Sequence, residues 1–422
     1  MRVAHVSDCY PPRVGGIETQ VHDLAVEQVR AGLDVHVLTA TAASAVAVGR
    51  RSRSPAPLEP GGPTVHRLAT ALTLGVPVHP LEDVLLRRAL RELRPDVVHV
   101  HAGVLSPFAY AGARAARRLG LPLAITWHCM LDGVVPLYRV GARLTGWDRA
   151  PMAVSAVSTV AGRRVAEVLG RPPGDVLVLT NGLDVAAWAP PRTSGAPAPG
   201  TPDPRTPPLP PSGALRVVAT QRLAPRKRAV PLVRVVAAVH ERLGHDGAGR
   251  PRVHLSLVGS GPAEASVRAE VDRLRLTDVV EVVGRVPREQ LAARYAGEHV
   301  FVAPARLEAF GIAALEARAA GLAVVAGRGT GVSEFVTDEV DGLLARDRPD
   351  GLDDAASDAA LADALVRLAQ EDGLLGRILA HNRATPPAAD WADVLAAAQR
   401  LYVRAGDRSA GPWPQSGPSD LA

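Results

Sequence analysis

The 422-residue sequence predicts two α/β domains, each built on a doubly wound parallel sheet, and three observations carry that expectation. Apolar strand-like runs alternate with helix-like periodic stretches through both halves of the chain. A stretch dominated by Pro, Ala, Gly, Ser and Thr separates the halves. The length also exceeds what one hydrophobic core ordinarily serves.

In the first half the spacing predicts strands at residues 3–7, 35–39, 97–101, 123–127, 152–157 and 176–180, and helices over 17–31, 81–93 and 107–119. In the second half strands are expected at 215–220, 253–258, 279–283, 299–303 and 323–326. Strands joined through helices form parallel sheets with both faces covered. The predicted organisation is a first domain over 1–188, a semi-rigid Pro-rich linker over 189–213 and a second domain over 214–388. A final helix over 389–405 should pack back across the junction; the tail, 406–422, and an Ala/Asp-rich loop near 350–358 read as mobile. Open α/β sheets bind ligands beyond the carboxyl ends of their strands, so two such domains are expected to face each other across a cleft.

Composition narrows the partners. Hydrophobic residues make up 47% of the chain, the formal charge is +5 and the pI is near 9.7, which suits an anionic partner. Aromatic residues are only 3%, too few for base-stacking platforms, so nucleic acid is not expected. Cys9 and Cys129 offer no disulfide framework, Met1 leads directly into a strand-like run, and no apolar run approaches the roughly 18 residues of a membrane span. These features point to a cytoplasmic protein. Arg87, Arg88, Arg91 and Arg94 on one predicted helix, with Arg114, Arg117 and Arg118 on another, suggest a peripheral contact with the inner face of the membrane, against the plainer reading of a solvated arginine-rich surface.

Positive charge is written almost entirely as arginine: of 48 lysine and arginine residues only Lys227 is a lysine. An ammonium is a compact point charge, whereas guanidinium is a planar fork. Lys227 ends the basic loop Arg222-Leu-Ala-Pro-Arg-Lys227 after a predicted strand, where phosphate is well accommodated. A compositional remnant is the competing reading. A second stretch, Glu308-Ala-Phe310-Gly311-Ile312-Ala-Ala-Leu-Glu316, is expected to open a helix near Gly311, whose unsatisfied N–H groups suit an anion. Glu308 would precede that helix and Glu316 lie inside it, placed to bracket a sugar nucleotide or simply to cap and solvate.

These motifs recur in a fixed order with Pro11-Pro-Arg-Val-Gly15-Gly16-Ile-Glu18, Asn181-Gly-Leu-Asp184, Val258-Gly259-Ser-Gly261-Pro, Val283-Gly-Arg285-Val-Pro and Gly331-Val-Ser-Glu334. Together they resemble the family 4 retaining glycosyltransferases (glycosyltransferase group 1 type) of the GT-B fold, with two Rossmann-like domains. The resemblance spans nearly everything except the linker and tail. It implies transfer of a hexose or N-acetylhexosamine from a UDP- or GDP-linked donor to the hydroxyl of a glycan, glycolipid or small molecule.

By the same resemblance Arg222 and Lys227 neutralise the donor diphosphate and Glu316 binds the ribose. Glu308, with the backbone of Phe310 and Gly311, holds the hexose. The Ile312 N–H faces phosphate, Arg285 flanks the nucleobase, and Gly259 belongs to the donor site. Gly15 and Gly16 would let the first domain approach the phosphates. His128 matches the family's active-site histidine and joins Glu308, Arg222 and Lys227 in the catalytic set. His101, at another strand end, is either structural or lines the acceptor side. Where the family commonly carries Gly before the Arg-Leu pair, this chain has Gln221.

No Asp-X-Asp triplet follows a strand and no His/Cys cluster shows metal-ligand spacing, so neither metal nor other cofactor is expected. Two rival readings are a non-hydrolysing sugar-nucleotide epimerase and an idle donor-binding subunit. The first needs a carboxylate acid/base pair at the sugar's C2; the second should have lost the charged donor ligands.

Overall fold

A computed structural model describes residues 1–13, 15–42, 56–58, 60–68, 82–189, 213–345 and 354–407. They form two compact units: residues 1–182 with the segment from Ala389, and Leu183–Ala388. Most of the expected linker, the start of the loop near 350 and the tail beyond 407 lie outside the described residues.

The first unit contains β1 (Arg2–Ser7), α1 (Gly16–Arg30), β2 (Asp34–Thr39), β3 (Ala56–Pro57), β4 (Thr64–Arg67), α2 (Glu82–Leu93), β5 (Val97–Ala102), α3 (Pro107–Arg118), β6 (Leu123–Trp127), α4 (Val135–Thr145), β7 (Ala153–Ala156), α5 (Thr159–Leu169) and β8 (Val176–Val178). Its sheet runs β3-β4-β2-β1-β5-β6-β7-β8, parallel except where β3 pairs with β4. The order reverses between β1 and β5, which places a crevice at their carboxyl ends.

Side chains alternate across a strand, and β1 and β5 use the alternation unusually. Val6, Val98 and Val100 join the core on the face covered by α3, where a Cβ on Gly112 would lie 2.6 Å from Val6 Cγ1. His5, His99 and His101 lie on the opposite face and are fully or almost fully buried. Asp8, just beyond β1, accepts hydrogen bonds from the N–H groups of Phe108 and Ala109 at 3.0 Å and so satisfies the start of α3. Burial nevertheless pushes its carboxyl up to about 6.

The second unit contains α6 (Val185–Trp188), β9 (Leu215–Thr220), α7 (Ala229–Leu243), β10 (Val253–Val258), α8 (Glu264–Arg273), β11 (Val280–Gly284), α9 (Arg288–Tyr295), β12 (Val300–Ala303), α10 (Ile312–Ala319), β13 (Ala323–Gly327), β14 (Gly342–Ala345), α11 (Asp354–Gln370) and α12 (Leu374–Ala384). Its all-parallel sheet runs β11-β10-β9-β12-β13-β14, with the reversal between β9 and β12. Arg318 of α10 is almost fully buried and forks onto Asp341, with the carbonyls of Asn382 and Thr385 each accepting one further proton.

Two details differ from expectation, and the last helix returns to the first unit. The units divide after Gly182 rather than 188, because the Trp188 ring of α6 packs 5.9 Å from the Tyr295 ring of the second unit. Residues 354–358 open α11 instead of forming a mobile loop. Asp354 and Asp358 suit a helix N-terminus, and Arg228 holds them at 2.8 and 2.7 Å. The last helix, α13 (Trp391–Gly406), belongs wholly to the first unit: its Trp391 lies where a Cβ on Gly182 would be only 2.5 Å away, and Leu401 and Tyr402 are buried in a core shared with β1, β5, β6 and β7.

Candidate active site

The loops after β9 and β12 flank the reversal point of the second sheet, and both carry charge. The basic loop closes as a short 3₁₀ turn, Pro225–Lys227, and Arg228 takes a left-handed conformation before α7. Lys227 Nζ lies 2.5 Å from Glu308 Oε2, with the side chains 23% and 19% exposed. The one lysine is therefore paired with the carboxylate expected to hold the transferred sugar. Arg222, on the same loop, is exposed and has no ion-pair partner among the described residues.

The Glu308 loop is fixed from two sides. Gly311 (φ 93°) caps α10 in a left-handed conformation that few side chains adopt, and a Cβ there would press to 2.8 Å from Val332 Cγ2. The Gly331 N–H donates to the Glu308 carbonyl at 2.8 Å. Phe310 is buried against Phe335, ring centroids 5.2 Å apart, so its backbone rather than its ring is available to a ligand. Ile312 is the first residue of α10, and Glu316 lies in its second turn, buried.

Glu316 Oε1 is held by Arg288 Nε at 2.8 Å, and the Arg288 guanidinium lies 5.8 Å from the centre of the Trp188 ring. Sequence reasoning missed Arg288 and Trp188. Nothing in a lone Arg after Val-Pro or a lone Trp before the linker announces that α9 and α6 bring them to one carboxylate.

Gly259 (φ 135°) packs against the basic loop: a Cβ would fall 1.9 Å from the Gln221 carbonyl oxygen. The Leu223 N–H donates to Ser260 O and the Ala263 N–H to Leu223 O, so the two loops clasp through backbone. Gly259 thus shapes the loop that carries Arg222 and Lys227. Gln221 Nε2 is buried and finds no acceptor among the described residues. Arg285 follows β11 and is exposed.

In the first unit Gly15 caps α1 and Gly16 begins it. Gly15 is extended (φ 178°), so no special backbone conformation explains it; the missing Cβ instead leaves room for the Glu18 carboxylate, 2.4 Å from where a Cβ would stand. Glu18 also pairs with Arg13 at 3.0 Å, so a carboxylate already sits at the helix start expected to approach phosphate.

His128 follows β6 and is partly exposed; its Nε2 lies 3.0 Å from His101 Nδ1. Burial of the ring lowers its pKa to about 4. His101 is 2% exposed within β5 with both ring nitrogens engaged, so it does not line an open acceptor surface. The tertiary structure also assembles what the linear spacing did not announce: ligand nitrogens of His5, His99 and His101 lie within 4.8 Å of one another.

Two parallel α/β sheets, with charged loops at the second sheet's reversal point, place the protein among the glycosyltransferases of GT-B fold. The structure of Anabaena HepE in complex with UDP and glucose matches with a TM-score of 0.66 at 18% identity, over 95% of this chain and 98% of that one. Residues 205–367 match the model of glycosyl transferases group 1 and residues 14–187 that of Glycosyltransferase Family 4. Two Mycolicibacterium smegmatis proteins are similar along most of their length. The GDP-mannose-dependent alpha-mannosyltransferase is 30% identical over 370 residues, covering 82% of this chain and 84% of the relative. The GDP-mannose-dependent alpha-(1-6)-phosphatidylinositol monomannoside mannosyltransferase is 29% identical over 386 residues, covering 88% and 92%. The chain belongs to the group 1, family 4 glycosyltransferases.

Proposed function

We propose that the enzyme transfers a hexose from a nucleoside-diphosphate sugar to an acceptor hydroxyl with retention of configuration and without a metal. The observation that carries this reading is the Lys227–Glu308 pair at the sheet's reversal point. A donor diphosphate offers Lys227 a stronger anion than Glu308, and Arg222 adds the second fixed charge. Glu308, released from the ammonium, then accepts hydrogen bonds from the sugar hydroxyls. Glu316 turns from Arg288 to the ribose diol.

As the C1–O bond to phosphate breaks, the acceptor oxygen bonds to C1 from the same face. The departing phosphate oxygen takes the acceptor proton, and Arg222 and Lys227 hold the remaining charge. The names of the two mycobacterial relatives favour GDP-mannose as donor, while the UDP and glucose in HepE keep a UDP-linked hexose as the alternative.

Glu316→Ala is expected to raise the donor KM with little change in kcat, and Glu308→Ala to lower kcat more than it raises KM. A contact made mainly in the transition state appears in kcat. Steady-state kinetics with varied donor reads both; equal effects confined to KM would overturn the assignment. Incubating donor alone tests the isomerase reading, which would be favoured by epimerised donor without acceptor.

The acceptor is proposed to be membrane-associated. The α2 and α3 surface exposes Arg88, Arg91, Arg114 and Arg117, and α4 exposes Leu137, Val140 and Leu144, spaced along one side of the helix, at 72%, 54% and 82%. Exposed apolar side chains and exposed guanidinium groups are the two features that suit an anionic bilayer surface. Three of the arginines are already in ion pairs, Arg118 and Arg87 with Asp83 at 2.6 and 3.0 Å and Arg88 with Glu92 at 2.8 Å. No helix among the described residues is long and apolar enough to cross a membrane. The expected result is co-sedimentation with anionic but not neutral vesicles at low salt; no preference would end the proposal.

A further inference from the structure

His128 is the open end of a continuous chain of buried polar side chains that crosses the first sheet. His128 Nε2 meets His101 Nδ1 at 3.0 Å, His101 Nε2 meets His5 Nδ1 at 2.8 Å, and His5 Nε2 meets Gln28 Oε1 at 2.7 Å. Gln28 Nε2 donates to the Tyr402 hydroxyl at 2.7 Å, which meets His99 Nδ1 at 2.9 Å. His99 Nε2 meets Thr126 Oγ1 at 2.6 Å, Thr126 meets Ser155 Oγ at 2.6 Å, and Ser155 reaches the Ile125 carbonyl at 3.4 Å. The members come from β1, β5, β6, β7, α1 and α13.

The chain has a direction. The Gln28 carbonyl only accepts, so His5 carries its proton on Nε2 and its Nδ1 accepts from His101. Neutral His101 then carries its proton on Nε2, and its Nδ1 accepts from His128. The Gln28 amide donates the other way, through Tyr402 and His99 to Thr126, Ser155 and the Ile125 carbonyl, which also only accepts. In a neutral imidazole the hydrogen bond at one nitrogen decides what the other can do. Burial supports neutrality, lowering His5 to about 4 and His99 and His101 well below the ordinary value.

The same nitrogens do not suit a metal. All six of His5, His99 and His101 are already in hydrogen bonds, and the group contains no carboxylate to offset a divalent charge.

We propose that Gln28 and Tyr402, acting through His5 and His101, are positioning residues that lock His128 as its Nε2–H tautomer, so that its Nδ1 lone pair is offered to a substrate hydroxyl. Among the described residues Nδ1 has no other partner. The tautomer follows from the chain alone; its importance for turnover rests on the proposed glycosyl transfer.

The test is ¹⁵N NMR of histidine-labelled protein at neutral pH, with His128 assigned through His128→Gln, joined to donor kinetics. The expected wild-type result is a single Nε2–H tautomer at His128. Gln28→Met, which removes the acceptor at nearly constant volume, should mix the tautomers and lower kcat by up to about a hundredfold, the scale of a misplaced catalytic contact, with donor KM unchanged. Tyr402→Phe should act in the same direction and serves if Gln28→Met does not fold. Gln28→Glu, which keeps an acceptor toward His5, should restore the tautomer. A wild-type Nδ1–H tautomer, or one unchanged in both severing variants, overturns the lock. A shifted tautomer with unchanged kcat overturns its part in turnover, whereas full activity in His128→Gln would instead remove His128 from the reaction and leave the tautomer result standing.

Discussion

Replacing Lys227 by alanine is expected to lower kcat/KM for the donor by about 30- to 5,000-fold, the equivalent of roughly 2 to 5 kcal/mol for truncating one partner of a buried charge pair. The free enzyme already holds this ammonium against Glu308 at 2.5 Å, so the substitution also leaves that carboxylate without its cation. The two positions should therefore couple. In a double-mutant cycle, Lys227→Ala combined with Glu308→Gln is expected to cost clearly less than the two single losses together. Lys227→Arg should keep only part of the activity, because a planar fork does not replace a point charge in a closed loop. Near-wild-type activity in the arginine variant, with circular dichroism showing an intact fold, would reduce the lone lysine to a compositional accident.

Melting temperature is expected to fall steeply as pH drops from about 6.5 towards 4. Burial lowers His5, His66, His128 and His299 each to about 4, so they stay neutral in the folded chain while the unfolded chain protonates near the ordinary value of about 6.5. In that window the unfolded state binds more protons. Stability from each group is thus fully present above its unfolded pKa and is lost as pH falls towards the folded one, by up to about 1.4 kcal/mol per pH unit per group. Asp8 works in the opposite sense: raised to about 6, it penalises the folded state above that pH, and protonation relieves the penalty. Burial raises Glu298 in the same sense, but two carboxyls offset only part of the imidazoles, which His99 and His101, also lowered by burial, join. Calorimetry between pH 8 and pH 4.5 checks the balance, and a melting temperature flat from 7 to 5 would contradict it.

How far the sequence reads differs between the two units. Second-unit motifs are compact in sequence, and the loop at Glu308–Gly311, the cap at Gly311 and the turn ending at Lys227 lie where spacing places them. What spacing could not show is that Lys227 and Glu308, 81 positions apart, meet each other in the free enzyme. The strands β3, β4 and β14 were also not legible.

By itself the sequence determined the two-domain α/β architecture, the family and the charged loops after two second-half strands, because hydrophobic periodicity and turn chemistry act over neighbouring residues. Only the tertiary structure decided the partners. His5, the His99-Val-His101 pair and His128 are far apart in the sequence, yet parallel pairing sets His5 opposite His99, and the two-residue period brings His101 to the same face. Gln28 and Tyr402 reach that face from helices 374 positions apart. A buried polar group must find a partner wherever the fold offers one, and strand register and helix docking make that choice.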